Sequence, residues 1–237
     1  MKILALETSS VTASVAVTEG ERLLAQSFYN SGLTHSATLM PMAAALLEQA
    51  GLSLAEMDVI AVAAGPGSFT GVRIGVAAAK GLAWPGDKPC AACSTLESMA
   101  WQCAHVDGEI CAVMDARRSQ VYSARFLARD GGLTRLSPDQ AIELEQLCAQ
   151  AGASGAEQLL VGDGAALCSQ AFQAAGVPAR TMPPHLVYPT AWGVARAALR
   201  LAQAGELVPP ERLMPEYHRL SQAERERLEQ TERRKGE

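Results

Sequence analysis

Asp58-Val-Ile-Ala-Val-Ala-Ala-Gly65-Pro-Gly67-Ser-Phe-Thr-Gly71-Val-Arg-Ile-Gly75-Val-Ala-Ala-Ala-Lys-Gly-Leu-Ala-Trp84 is the stretch from which the fold is read. Residues 59–64 are an apolar run of the kind that forms a strand buried on both faces of a mostly parallel sheet. Gly-Pro-Gly stops it. Beyond, Val72, Val76, Ala79 and Leu82/Ala83 recur at helical spacing, and Ser68 stands where an N-cap belongs. The unit is strand, glycine turn, helix. Gly65 and Gly67 permit a positive φ or a close approach, and Gly71 and Gly75 leave a flat strip on which another backbone can lie. No Gly-Lys-Ser/Thr follows, and the third glycine comes one residue late for Gly-x-Gly-x-x-Gly. Spacing alone is met by a tight strand-to-helix corner with no ligand.

The chain of 237 residues allows one large domain or two modest ones, and 49% apolar residues mark it as globular. The apolar run at residues 3–6 is too short for a signal or membrane segment, so the expected location is the cytoplasm with no membrane partner. A net charge of -5 repels nucleic acid, and the 11 aromatic residues form no stacking platform, so any service to RNA is expected to run through a partner. Six cysteines, at 90, 93, 103, 111, 148 and 168, read as reduced and buried. Cys90 and Cys93 are three apart in an expected strand and so face opposite sides, which argues against a shared metal or redox site.

Residues 2–6 read as a strand ending at Glu7, followed by the polar turn Thr8-Ser9-Ser10, a returning strand at 13–18 and a third at 23–29. Residues 35–50 are helical, with Leu39, Met42/Ala43, Leu46/Leu47 and Ala50 on one face; Pro41 either starts the helix or bends it. His35 reads as a cap or loop residue. A strand at 88–95 leads into a helix at 96–105 capped by Ser94 or Thr95, with Glu97 in its first turn. A connector at 106–109 divides an N-terminal lobe, 1–106, from a C-terminal lobe, 107–220. The second lobe opens as the first did: a strand at 110–114 ending at Asp115, a polar turn at 116–119, and a returning strand at 120–128. A helix at 138–151, a strand at 158–161, the corner Gly162-Asp-Gly164, and helices at 165–175 and 190–203 follow. Residues 221–237 are a charged tail, read as a solvated or frayed helix.

The string Ala64-Gly-Pro-Gly-Ser-Phe-Thr-Gly-Val-Arg-Ile-Gly75 resembles the hallmark of the TsaB family, bacterial tRNA threonylcarbamoyladenosine biosynthesis proteins. That family is a degenerate glycoprotease-like branch of the actin, heat-shock ATPase and sugar kinase superfold. Weaker similarity runs from Met1 to about Tyr217; Pro215-Glu-Tyr217 is similar to the family's Pro-x-Tyr, though His218-Arg219-Leu220 departs from the usual continuation. The resemblance implies an α/β protein of two lobes, each a mixed sheet flanked by helices. It places a degenerate nucleotide site at Glu7, Thr8, Ser9, Asp115, Gly162 and Gly164. Glu7 replaces the superfold's usual aspartate and its turn lacks glycine, so no resident cofactor is expected and only weak nucleotide binding is left open.

The catalytic sister family, TsaD, carries metal-ligating histidines at positions that fall here on Thr95 and Met99, and a third ligand falls on Pro189. Those side chains are poor cation donors. The resemblance therefore implies no metal and a non-catalytic partner of TsaD. With TsaE, that complex attaches threonylcarbamoyl to the adenosine beside the tRNA anticodon. A peptidase or small-molecule kinase of the same superfold is the alternative. Met40 and Ala44 widen the apolar band of the first helix, and the helix at 68–83 is small or apolar almost all round. Both helices are expected on one face of the first sheet. The expected partner surface, used with TsaD or in a homodimer when the chain is alone, is Leu39, Met40, Ala44, Leu47, Phe69, Val72, Gly75, Val76 and Ala79.

Overall fold

In the computed structural model, residues 1–117 and 119–218 are described. The chain opens with β1 (Lys2–Glu7), β2 (Ala13–Glu19) and β3 (Arg22–Tyr29), continues through α1 (His35–Gln49), β4 (Val59–Gly65), α2 (Phe69–Ala83) and β5 (Cys90–Ser94), and reaches α3 (Thr95–Cys103). The first sheet has the order β3-β2-β1-β4-β5, antiparallel through the opening hairpins and parallel from β1 to β5. The second half comprises β6 (Gly108–Asp115), β7 (Gln120–Arg129), β8 (Gly132–Arg135), β9 (Gln140–Glu143), α4 (Leu144–Gly152), β10 (Gln158–Val161), α5 (Ala165–Ala174), β11 (Ala179–Thr181) and α6 (Ala191–Ala204). Its sheet runs β11-β10-β6-β7-β8, with β9 also on β7. Hairpin, then parallel strands joined by helices: the plan of the first sheet recurs in the second. This is a duplicated two-lobed α/β architecture, each lobe a mixed sheet flanked by helices, as expected.

The strands sort their side chains by parity, because successive residues face opposite sides of a sheet. Leu4, Leu6, Ile60 and Val62 face α1 and α2, whereas Ile3, Ala5, Ala61 and Ala63 face α6. α1 and α2 thus share one face of the first sheet, as expected. In the second sheet Ile110, Ala112 and Phe126 meet α3, while Val113, Val121 and Leu160 meet α4 and α5. The layers run α1/α2, first sheet, α6 and α3, second sheet, α4/α5. Cys90 and Cys93 fall in the clusters on opposite faces of β5, and all six cysteines are free and buried.

The inner helices are exchanged relative to the expected division at 106–107. α3 precedes that boundary yet packs Met99 and Cys103 on the second sheet; α6 follows it yet packs Val194 and Ala198 on the first. The chain after α6 also returns to the first half, where Val208 pairs with Cys90 and Leu213 is buried in the α1/α2 core. The helix expected at 138–151 begins only at Leu144, because residues 140–143 extend along β7 and bury Ile142 beside Val121. The short strands β8 and β11 carry no clear alternation in sequence and were not expected. The expected tail, 221–237, lies outside the described residues.

At the seam, a Cβ on Gly193 would overlap the Ser98 carbonyl oxygen, so α6 crosses α3 backbone to backbone. Beside Ser98 on α3, Glu97, buried, accepts from Arg200 Nε at 2.7 Å and from Arg135 Nη2 at 3.1 Å, joining α3, α6 and β8. Gly193→Ala should lower unfolding free energy by about 2–4 kcal/mol, since a backbone must move. Gly81→Ala meets nothing within 4 Å inside the exposed side of α2 and should raise it by about 0.5–1 kcal/mol. Urea unfolding of the two variants beside the parent checks both signs.

Candidate functional site

A cleft of about 680 Å³ opens between the β1–β2 turn and the β6–β7 turn. Ser9, Phe69 and Thr70 line it from the first sheet's side, Asp115 and Asp163 from the second's, and Tyr217 from the end of the described chain. Its floor is built by the hallmark stretch. Gly65 and Gly67 take φ of 135° and 154°, which side-chain-bearing residues avoid. Ser68 caps α2 by accepting from Gly71 N–H at 3.3 Å and donates its own N–H to Ser9 O at 2.7 Å. A Cβ at Gly71 would overlap Thr8 O, and one at Gly75 would crowd Thr8 Oγ1. The first turns of α2 therefore lie directly on the β1–β2 turn.

That contact consumes the turn's polar groups. Thr8 Oγ1 donates to Gly71 O at 2.8 Å, Ser9 donates through both N–H and hydroxyl to Glu7 Oε1, and Ser10 O pairs with His35 Nε2 at 2.8 Å. Ser10 and Thr12 hydroxyls pair at 2.8 Å. Glu7 is wholly buried with Oε2 unpartnered, and burial pushes its carboxyl up to about 7, against the lowering pull of the Ser9 bonds. A nucleotide phosphate needs free donors, and a bound cation needs an accessible carboxylate. Neither fits Glu7, Thr8 and Ser9 as they stand. On the other wall Asp115 is exposed; its carboxylate accepts from Arg117 N–H at 2.7 Å, and Asp163 accepts from Asp115 N–H at 3.0 Å. Partial dehydration, then the Asp115 charge, raises the Asp163 carboxyl. Gly162 and Gly164 are buried against the backbone of residues 113–115, where a Cβ would strike Val113 or Met114. Of the six expected nucleotide residues, Ser9 and Asp115 reach the cleft; Glu7 and Thr8 lie beneath it, and the two glycines lie behind its wall.

The terminal Pro-x-Tyr segment closes the cleft's side. Glu216 N–H donates to Ala64 O at 2.7 Å, and Gly65 has no room for a Cβ against Glu216 O. Tyr217 stacks on Phe69 at 4.8 Å and accepts from Arg73 Nε at 2.7 Å, while the Arg73 guanidinium sits 3.9 Å over the Phe69 ring. Two motifs separated by more than a hundred residues thus form one unit, a pairing that sequence spacing gave no means of finding.

The expected partner surface needs correction. Leu39, Leu47, Val72, Val76 and Ala79 are buried in the chain's own α1/α2 core, and Gly75 faces Thr8 and Val62. They are consumed by the first sheet, because both helices use their apolar stripe there. Met40 and Ala44 are exposed, and Phe69 is half-buried under Tyr217. Thr95 and Met99 are fully buried in α3, and Pro189 is buried too.

Glu7 gives a pH signature. Its ordinary value is 4.5 and its folded value about 7. Below 4.5 both states hold the proton; as pH rises toward 7 the unfolded chain releases it first, so stability is present at low pH and lost as pH passes through the folded value. Relative to Glu7→Gln, which cannot titrate, the parent should lose about 3 kcal/mol between the two limits. Urea titrations of both proteins across that range read the difference directly.

The family model described as "TsaD: tRNA N6-adenosine threonylcarbamoyltransferase" matches residues 29–226. The tRNA threonylcarbamoyladenosine biosynthesis protein TsaB of Bacillus subtilis (strain 168) is 40% identical over 144 residues, 61% of this chain and 63% of that protein. Its namesake in Escherichia coli (strain K12) is 36% identical, over 56% of this chain and 58% of that protein. The matched stretches thus span about three fifths of these relatives. A Pseudomonas aeruginosa crystal structure, described as an uncharacterized protein with similarity to peptidase YEAZ, superposes with a TM-score of 0.80 at 28% identity, covering 92% of this chain and 99% of that one. The chain belongs to the family of the matching model, and the curated relatives it is similar to are TsaB proteins.

Proposed function

We propose that the chain is a non-catalytic partner of TsaD in the addition of threonylcarbamoyl to tRNA adenosine. The observation that carries this reading is the fate of the ligand positions. Where the catalytic sister family presents metal-binding histidines, this chain has Thr95 and Met99, both fully buried, with Met99 in the apolar core between α3 and the second sheet. A hydroxyl and a thioether sealed from solvent are unsuited to a working metal. The β1–β2 turn supports the same reading, since the Thr8 hydroxyl holds α2 and the Ser9 donors hold Glu7 rather than a phosphate. TsaE and tRNA are assigned to the assembled complex, consistent with the net charge of -5, and the proposed location is the cytoplasm. No described helix is long and apolar enough to cross a membrane.

The proposed TsaD-facing surface is the outer side of α1 and α2, where Met40 is 43% exposed and Ala44, Ala77 and Trp84 also face solvent. Threonylcarbamoyl transfer to tRNA should require this chain together with TsaD and TsaE. Met40→Glu should weaken TsaD binding about tenfold or more while leaving the melting curve unchanged, because a charge would be desolvated only in the complex. Val76→Arg, in the chain's own core, should instead unfold it. Transfer by TsaD and TsaE at full rate without this chain, or sub-micromolar tRNA binding by the chain alone, would contradict the assignment.

A further inference from the structure

The end of the described chain lies along the outer side of α2, antiparallel to it. Lys80 Nζ donates to Glu211 O at 3.3 Å and approaches Met214 Sδ at 3.9 Å. Toward the start of the helix, Arg73 Nε donates to the Tyr217 hydroxyl and the Phe69 ring lies under Tyr217. Leu213, wholly buried in the α1/α2 core, anchors the segment. Beyond Leu213 the hold is thin. Met214 is 60% exposed, Tyr217 is 46% exposed, and Glu216 is exposed as well. Among the described residues, 215–217 are kept in place by the Glu216 N–H bond to Ala64 O, the ring stack and the Arg73 bond. Exposed contacts of this kind open locally, without global unfolding.

The surface beneath is fixed by the core. Phe69 and Arg73 stand one turn apart on α2, whose Val72, Val76 and Ala79 are buried against the first sheet. The Arg73 guanidinium sits over the Phe69 ring and so holds it in place. At the end of β4, Gly65 has no room for a Cβ against Glu216 O, so the surface is shaped for a passing backbone. A carbonyl for a backbone N–H, a ring face and a guanidinium N–H are the features that read an extended peptide. We propose that this end of α2 is a peptide slot, closed by the chain's own Pro215-Glu-Tyr217 and open by exchange to an extended segment of a partner chain that supplies an aromatic side chain in place of Tyr217. The seated segment defines what the slot takes: a backbone N–H for Ala64 O, a ring for Phe69 on the next residue, and a polar ring atom to accept from Arg73 Nε. Glu216, Tyr217 and His218 also line the cleft, so the same exchange opens the cleft's side. Docking on α2 and access to the cleft become one event.

This inference does not rest on the proposed function, because a peptide reads the slot in the absence of TsaD. The probe is the blocked hexapeptide Leu-Met-Pro-Glu-Tyr-His, the sequence of residues 213–218. A tethered occupant has an effective concentration in the millimolar range, so the parent's slot is closed to free peptide. Titrated into the isotope-labelled full chain carrying Tyr217→Ala, the peptide should shift the amide resonances of Phe69 and Arg73 with a dissociation constant of about 1 mM or below. Binding to the parent should be at least tenfold weaker, and a peptide with alanine for its tyrosine should not saturate. Hydrogen exchange needs no variant. In the parent, the Glu216 amide should exchange at least a hundredfold faster than the Val208 amide, which donates to Cys90 O at 2.9 Å in the anchored part of the segment. Equal binding by parent and Tyr217→Ala, or binding by neither, overturns the inference. So does a Glu216 amide that exchanges only through global unfolding.

Discussion

The first lobe depends on one contact, the backbone of α2 lying on the backbone of the β1–β2 turn. Gly67, Gly71 and Gly75 each stand where a Cβ would strike Ser9 or Thr8. Gly71 and Gly75, inside α2, cost helix propensity, about 1 kcal/mol each. The return is a set of bonds that close approach alone permits: Ser68 N–H to Ser9 O, Thr8 Oγ1 to Gly71 O, and the His35 ring on Ser10 O, each contributing on the order of 1 kcal/mol. The approach also excludes water from Glu7, which is why that carboxyl titrates near neutrality instead of serving as an anion at a cleft. One geometric choice therefore fixes the helix, desolvates the acid and occupies the hydroxyls.

From the same stretch a second consequence runs outward. Gly65 lets the terminal segment approach β4, and two side chains on the outer side of α2, Phe69 and Arg73, then hold Tyr217. The hallmark string is thus a two-sided joint. Its glycines at 67, 71 and 75 face inward to the β1–β2 turn, and Gly65, Phe69 and Arg73 face the Pro215-Glu-Tyr217 segment.

Much of this was legible in the sequence. The Val59–Gly65 strand, the Ser68 cap, the repeat of strand, acid and hairpin at Asp115, and the shared sheet face of α1 and α2 follow from local apolar spacing and cap chemistry. What spacing cannot give is which neighbour covers an apolar side. Val76 and Ala79 look doubly apolar because the residues beside them are alanine and glycine, small enough to face solvent at little cost, so a wide band overstated the buried surface. Gly75 read as a strip for a second chain; what comes close is the side chain of Thr8, from the β1–β2 turn of the same chain. Of the six residues expected around a nucleotide, Ser9 and Asp115 line the cleft, and whether the Thr8 hydroxyl was free depended on its contact with Gly71, distant in sequence.

The exchange of inner helices bears on how far the two lobes can act independently. α3 grows from β5 of the first sheet and buries Met99 in the second; α6 follows β11 of the second sheet and buries Val194 in the first. Each lobe's core is therefore completed by a helix tethered to the other. Separating the lobes would expose both apolar faces and strip Glu97 from Arg200 and Arg135, leaving a carboxylate with only an indole N–H for company. The Gly193 crossing makes the seam close as well as apolar, since backbones in contact cannot slide without steric clash. A seam of this kind favours one fixed arrangement of the two sheets.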